Sequence, residues 1–366
     1  MILTADPATF YSLTPLPTRV IPFVRKAKYP PYGLRKIEAI VNGMIVPPED
    51  LSRDIDILGI YVNDPLALTP VSSIYEALFG EKPRFYSSFM EFSAKISRLK
   101  KEKGFKVIVG GPGSWELVDN KPWWVNTIVL GEAENVIFEA MEKDGIIKGT
   151  PAERFHPIRA PSAFAEVEVM RGTDRKVPDW VVKKEMKVQS VHGRVNLISN
   201  DLFSYGDELY DLLTLAKSYG KVYFNQISLK GLSKVDLEEV RRILGLNERD
   251  YRTPVLSRDP GACTLSDKVD VDAIRELNKA FIYPMIYVPD ERVDEYWGVK
   301  ALVIPLPTSD RYYDYLYRAW LINERVIKSR FNKLVERVLE KNAKTKGEFL
   351  KRFNIRDIRY ILSLIF

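Results

Sequence analysis

A single cysteine, Cys263, stands in 366 residues, so an intrachain disulfide is excluded. Only two histidines accompany it, His156 and His192. That leaves too few sulfur and imidazole donors for an iron–sulfur cluster or a structural zinc site. Cys263 follows Gly261-Ala262 with no histidine near it in sequence, and it reads as a packed thiol. Both histidines read as structural. Glutamine is almost missing, with Gln189 and Gln226 alone, while Lys, Arg and Glu abound. That bias is common in thermophile proteins, because amides are thermolabile. No apolar run reaches the ~18 residues a membrane span requires. The opening Met1–Asp6 lacks the basic and apolar regions of a signal peptide, so the expectation is a cytoplasmic protein with no membrane partner.

What is present is a globular composition. Apolar residues make up 46% of the chain, enough for two or three domains, each with its own core. The net charge of +6 is placed unevenly. From Glu324 to Phe366 there are twelve Lys/Arg against five Asp/Glu, so the rest of the chain is close to neutral. Arg325, Lys328, Arg330, Lys333, Arg337, Lys341, Lys344, Lys346, Lys351, Arg352, Arg356 and Arg359 could neutralise RNA or DNA phosphates. They could equally form the solvated face of a helix.

The first 150 residues alternate apolar strand-like runs with helical patterns, which predicts a parallel α/β sheet. Strands are expected over Met1–Thr4, Ile55–Val62, Phe105–Val109 and Thr127–Leu130. Helices are expected over Pro31–Val41, Val71–Leu78, Phe89–Lys101 and Ala133–Glu142. A linker rich in proline and small residues follows, set at 151–161. A second α/β region runs from 162 to 308. Its strands are expected near Ala165–Met170, Arg194–Ser199, Val222–Ile227, Pro254–Leu256, Ile282–Val288 and Ala301–Ile304. Helices near Asp207–Tyr219, Lys234–Leu244 and Val271–Lys279 separate several of them. That order suits a half-barrel or an open wound sheet. Residues 309–366 form a basic helical region, with an aromatic stripe over Tyr312, Tyr313, Tyr315, Leu316, Tyr317, Trp320 and Leu321 and a last short helix over Ile355–Leu364.

Three strand ends in the first domain carry polar residues or glycines. They are Asn63-Asp64, the turn Gly110-Gly111-Pro112-Gly113, and Gly131-Glu132. Open parallel sheets seat ligands at such ends, so these residues are candidate cofactor-binding positions. The glycines could also do no more than make tight turns. The dinucleotide fingerprint G-x-G-x-x-G is not among them. Trp115, directly after the glycine turn, could obstruct a ligand or stack on it. In the second region Asp201, Asp207 and Glu208 sit near a strand end, where they could form an acid–base group. Asp207 better suits a helix N-cap.

The first domain resembles the cobalamin-binding domain that precedes the catalytic barrel in many radical S-adenosylmethionine enzymes. The resemblance is carried by Tyr29-Pro-Pro-Tyr-Gly-Leu-Arg-Lys-Ile-Glu38, Ile60-Tyr-Val-Asn-Asp-Pro-Leu66, Val109-Gly-Gly-Pro-Gly113 and Leu130-Gly-Glu-Ala-Glu134. It continues through Glu166–Trp180 and Asn196–Tyr205 and covers roughly residues 1–230. It implies a Rossmann-like parallel sheet followed by a partial (β/α) barrel. Enzymes of that family present three cluster cysteines at spacing C-x3-C-x2-C after a strand ending in Arg-Gly. Here the corresponding positions hold Thr173, Val177 and Trp180, none of which ligates iron as a thiolate does. Val177 and Trp180 are expected to fill the space instead. Arg171, Arg175 and Lys176 are read as a solvated basic loop, with an anion site as the alternative. The resemblance therefore implies a non-catalytic descendant with no catalytic residues, no metal and no iron–sulfur cluster, acting as a binding or scaffold protein. Alternatives are an RNA- or ribonucleoprotein-binding protein that uses the basic tail, and a transferase that binds cobalamin or S-adenosylmethionine.

Overall fold

A computed structural model of the chain describes residues 1–13, 26–51, 54–172, 174–259 and 270–326. They divide into two compact units. The first comprises 1–76, 81–165 and 183–188, and the second takes the remainder. Residues 151–161 thus belong to the first unit.

The first unit is built on six parallel strands: β1 (Ile2–Ala5), β2 (Met44–Ile45), β3 (Ile57–Tyr61), β4 (Lys106–Gly110), β5 (Thr127–Leu130) and β6 (Gly145–Lys148). Their order across the sheet is β2-β1-β3-β4-β5-β6. Successive residues point to opposite faces. Leu58, Ile60, Val62, Val107, Val109 and Ile128 form one core with Phe89, Phe92 and Ile96. Those three lie on one stripe of helix α4 (Arg84–Lys103), which follows α1 (Pro7–Phe10), α2 (Tyr32–Val41) and α3 (Pro70–Phe79). On the other face Leu3 and Ala5 pack with Leu34 of α2. Ile108 and Val129 pack there with Val136 and with Ala140 of α5 (Ile137–Glu142). Helices thus cover both faces, as an all-parallel sheet requires. The strand order reverses direction between β1 and β3, which is the switch point where such sheets open a crevice.

A buried ion pair fastens this unit internally. Glu185 lies on α6 (Asp179–Gln189) and accepts from Lys36 Nζ at 3.1 Å, from the Ile158 amide at 3.0 Å and from the Tyr32 hydroxyl at 2.5 Å.

The second unit opens with β7 (Glu166–Glu168) and an antiparallel hairpin of β8 (Met170–Arg171) and β9 (Arg175–Lys176). Strand β10 (Arg194–Ile198) stands between β7 and β11 (Lys221–Phe224), all parallel. After α7 (Leu209–Ser218) and β11, Asn225 breaks the strand before β12 (Gln226–Ser228). Its amide donates to Leu197, its carbonyl accepts from Val255, and its Oδ1 accepts from Ser199. Asn225 thus links β10 to the next row, which is β12, β13 (Val255–Ser257), β14 (Met285–Pro289) and β15 (Leu302–Leu306), again parallel and in sequence order. Helices α8 (Leu229–Leu232), α9 (Leu237–Leu244) and α10 (Val271–Lys279) intervene. Asp236 and Asp270 cap α9 and α10 through the free amides of their first turns. Helix α11 (Tyr312–Asn323) buries Tyr312, Leu316, Ala319 and Ile322, spaced to form one face. Its Asn323 holds both the amide and the carbonyl of Val303 on β15.

Candidate binding site at the carboxyl edge of the first sheet

Beyond β3 the chain continues Val62-Asn63-Asp64-Pro65. Asp64 is buried, and its Oδ1 accepts from the amides of Leu68 at 2.9 Å and Thr69 at 3.3 Å. Its Oδ2 accepts from the Thr69 hydroxyl at 2.7 Å and from the Ser72 hydroxyl. One carboxylate therefore folds the whole 64–72 loop into the start of α3. Asn63 is exposed.

Beyond β4 the glycine turn is shaped by its neighbours. Gly111 has φ +111°, and a Cβ there would lie 2.5 Å from the Val62 carbonyl and 2.9 Å from the Tyr61 ring. A Cβ on Gly113 would run into the Asn63 carbonyl. These glycines let two strand-end turns touch, and the Gly113 amide donates to Val62 at 3.1 Å. The short turn Ser114–Leu117 follows, tied to β5 by a Ser114 hydroxyl bond of 2.9 Å to the Val129 carbonyl.

That turn sends its side chains in opposite directions. Trp115 is 51% exposed, whereas Glu116 is only 4% exposed. Glu116 Oε2 accepts from the Leu66 amide at 2.7 Å, while Oε1 is buried with no hydrogen-bond partner. Burial, and then the adjacent Asp64 carboxyl, push its pKa up to about 8 against the pull of the Leu66 amide. Glu116 is therefore a neutral acid at pH 7, beside a carboxylate that four donors surround.

The other strand ends are engaged by the chain itself. Glu132 Oε2 accepts from the Ala152 amide at 2.8 Å, and Gly149 approaches the Glu132 backbone too closely to carry a Cβ. Gly131 is exposed at φ +82°. After β1, Asp6 caps α1 through Ala8 and Thr9 and accepts from the Ser88 hydroxyl at 2.6 Å. Burial pushes the Asp6 carboxyl up. Of the candidate residues, Asn63, Asp64, Gly110, Gly111, Pro112 and Gly113 meet at the ends of β3 and β4, while Gly131 and Glu132 seat residues 149–152. Asp6 and Glu116 were not among the candidates. Asp6-Pro7 does carry a cap signal, an acid followed by proline. Glu116 shows itself only as an acid inside an apolar turn.

In the second unit, Val177 is buried but Trp180 is 60% exposed. The expectation that both fill a former cluster space is corrected. The proline at 178 starts α6, whose buried positions are Val181, Val182, Glu185, Met186 and Gln189, and position 180 falls on the outer side. Thr173 lies outside the described residues. Arg171 grips Glu168 with two bonds of 2.6 and 2.8 Å, and Lys176 pairs with Glu208 over the Tyr205 ring. Asp201 is fully buried and accepts from Phe203, Ser204 and twice from Ser228. The capping role expected of Asp207 belongs instead to Asp201. Asp207 is exposed, and α7 starts after Glu208 with no side-chain cap. These three acids form no catalytic group: one is a cap, one is solvated and one is in a surface ion pair.

His156 is exposed. Among the described residues no cluster of three or more His, Cys, Asp or Glu side chains is arranged to hold a metal. No helix among them is long and apolar enough to cross a membrane. Cys263, the final helix expected at Ile355–Leu364 and the basic positions Lys328, Arg330, Lys333, Arg337, Lys341, Lys344, Lys346, Lys351, Arg352, Arg356 and Arg359 lie outside the described residues. Arg325 is described: its guanidinium sits over the Trp297 ring and donates to the Trp297 carbonyl. No protein-family model matches the chain, and no curated protein or solved structure does either.

Proposed function

We propose that this chain is a non-catalytic relative of cobalamin-dependent radical S-adenosylmethionine enzymes that works as a binding or scaffold protein. In this reading the sequence-ordered parallel strands of the second unit descend from a partial (β/α) barrel. The observation that carries the reading is the replacement of three cluster thiolates by Thr173, Val177 and Trp180. Thr, Val and Trp do not fit an iron–sulfur cluster, so no radical step is assigned.

The first unit supports binding over catalysis. Asp6, Asp64 and Glu132 all accept from the chain's own amides. The space on the Cβ side of Gly111 and Gly113 is taken by Val62, Tyr61 and Asn63, which supports a packing role for these glycines. Asn63, Pro112 and Trp115 are the exposed residues of these turns, a surface suited to stacking or partner contact. Anaerobic iron–sulfur reconstitution of the full chain tests the reading. A stoichiometric cluster with thiolate-to-iron absorbance would overturn it. Calorimetric titration with cobalamin and with S-adenosylmethionine addresses the transferase alternative: tight binding of either that Trp115→Ala abolishes would favour that alternative.

A second reading rests on the twelve Lys/Arg after Glu324. RNA affinity that falls steeply with salt, and that charge-neutralising substitutions in 328–359 remove, would support an RNA-binding role. An affinity indifferent to those substitutions would reject it.

A further inference from the structure

We infer that Asp64 and Glu116 form a proton-operated latch that holds the 64–72 loop closed at the carboxyl edge of the first sheet. Two carboxyls from different strand ends grip one loop at two points. Glu116, after β4, takes the Leu66 amide, and Asp64, after β3, takes Leu68, Thr69 and Ser72. Oε2 of Glu116 is occupied by that amide, so the proton of the neutral acid falls to Oε1 and is shared with the neighbouring Asp64 carboxyl. With the proton in place only one of the two carboxyls is charged, and the four donors around Asp64 stabilise that charge. Without it, two negative charges meet in the buried site, and Lys82, the cation beside this loop, is engaged by the Leu66 carbonyl.

The groups around the two carboxyls come from four elements. From the loop, Asp64 faces Glu116. From the segment before α4, Lys82 donates to the Leu66 carbonyl at 3.0 Å and reinforces the closed loop from outside. From α3, Tyr75 is buried, and burial and Glu81 keep its phenol protonated throughout the relevant range. From β5 the contact is the uncharged Val129 carbonyl, through Ser114. The cheapest relief is for the loop to leave, which carries the exposed Leu68 and Val71 away from the ends of β3 and β4.

The sign follows from linkage. Closed, Glu116 titrates at about 8; released into water it returns to the ordinary value of 4.5. The closed state therefore holds the extra proton between those values. Opening becomes easier as pH rises from 4.5 and levels off above about 8.

Hydrogen exchange of the full chain, corrected for intrinsic rates, tests it. Protection of the Leu66, Leu68 and Thr69 amides should fall by up to about tenfold per pH unit between pH 5 and 8, then flatten. Glu116→Gln keeps an acceptor for Leu66 but cannot titrate, and it should remove the dependence. Asp64→Asn removes the neighbouring charge and should move the upper end of the window down. Wild-type protection that is constant over pH 5–8, a Glu116→Gln chain with the same dependence, or an Asp64→Asn chain with an unmoved window would each overturn the latch.

Discussion

Removing either half of the Lys36–Glu185 pair should be among the costliest single changes to the first unit. The Lys36 side chain is 7% exposed and that of Glu185 is not exposed at all. Burying two charges costs several kcal/mol each, which their mutual attraction and the extra bonds from Tyr32 and Ile158 must offset. Deleting one partner leaves the other charge buried, a loss of about 3–5 kcal/mol. Glu185→Ala also strands the Ile158 amide, worth about 1–3 kcal/mol more. A loss of about 3 kcal/mol lowers the melting temperature of a unit this size by about 6–12 °C. Lys36→Met gives a sharper test. The remaining Glu185 can escape by taking a proton, and burial already pushes its carboxyl up. The damage should therefore shrink at acid pH: Lys36→Met should cost about 3 kcal/mol at pH 8 and less than half of that at pH 5. Glu185→Ala leaves an ammonium, which added protons cannot relieve, and should show no recovery toward acid pH. Calorimetric scans of wild type and both variants at the two pH values measure this. Equal losses for Lys36→Met at pH 5 and 8, or a loss below about 1 kcal/mol for either variant, would refute the reasoning.

Three other substitutions probe other parts of the framework. Gly111→Ala places a Cβ against the Val62 carbonyl at a φ of +111°, so a loss of about 2 kcal/mol or more is expected by denaturant titration. A neutral result would mean that the β3 and β4 turns do not touch. Asn323→Leu leaves the amide and carbonyl of Val303 buried and unpaired, about 2–4 kcal/mol, read as a lowered melting temperature and faster exchange of the Val303 amide. Burial acts to raise the Asp250 carboxyl, but Arg252 at 2.8 Å and Lys221 at 3.5 Å outweigh it and hold the pKa below 3.8. Its contribution is present above pH 3.8 and is lost as pH falls through the lower folded value. In Asp250→Asn the decline in stability between pH 4 and 2 should therefore be shallower than in wild type, read as a smaller drop in melting temperature.

Much of the element pattern was legible because each element announces its own physics. Thr127–Leu130 and Val271–Lys279 appear as read, the first from an apolar run, the second from an acid cap followed by a helical stripe. Helix α4 was read from Phe89 but begins at Arg84, because its apolar stripe starts a turn late. Strands β2 and β6 were not read: one has two residues, and neither is buried enough to show a run. The resemblance drew attention to 166–180 as a loop and hid α6. Its buried positions follow helical spacing, but Glu185 and Gln189 are polar, so no hydrophobic stripe marks it. The pairing of Glu185 with Lys36, 149 residues away, has no local signature. Of the site, the glycine turn and Asp64 were visible as strand-end punctuation. Glu116 was not, since one acid in a turn says nothing about its burial.

The strand-end acids can be sorted by a criterion that sequence cannot supply, the number of donors each receives. Asp6 takes two amides and a hydroxyl, Asp64 takes two amides and two hydroxyls, and Asp201 takes two of each. Asp290, after β14, takes the hydroxyls of Thr308 and Ser309 and the Ser309 amide. An acid so surrounded is fixed in place as a loop tether and has little capacity left for a substrate. Glu116 is buried as deeply as these yet receives one donor, and its pKa is pushed up to about 8. At the ends of β3 and β4 the acid that keeps an oxygen without a hydrogen-bond partner is therefore Glu116, while Asp64 beside it tethers the loop.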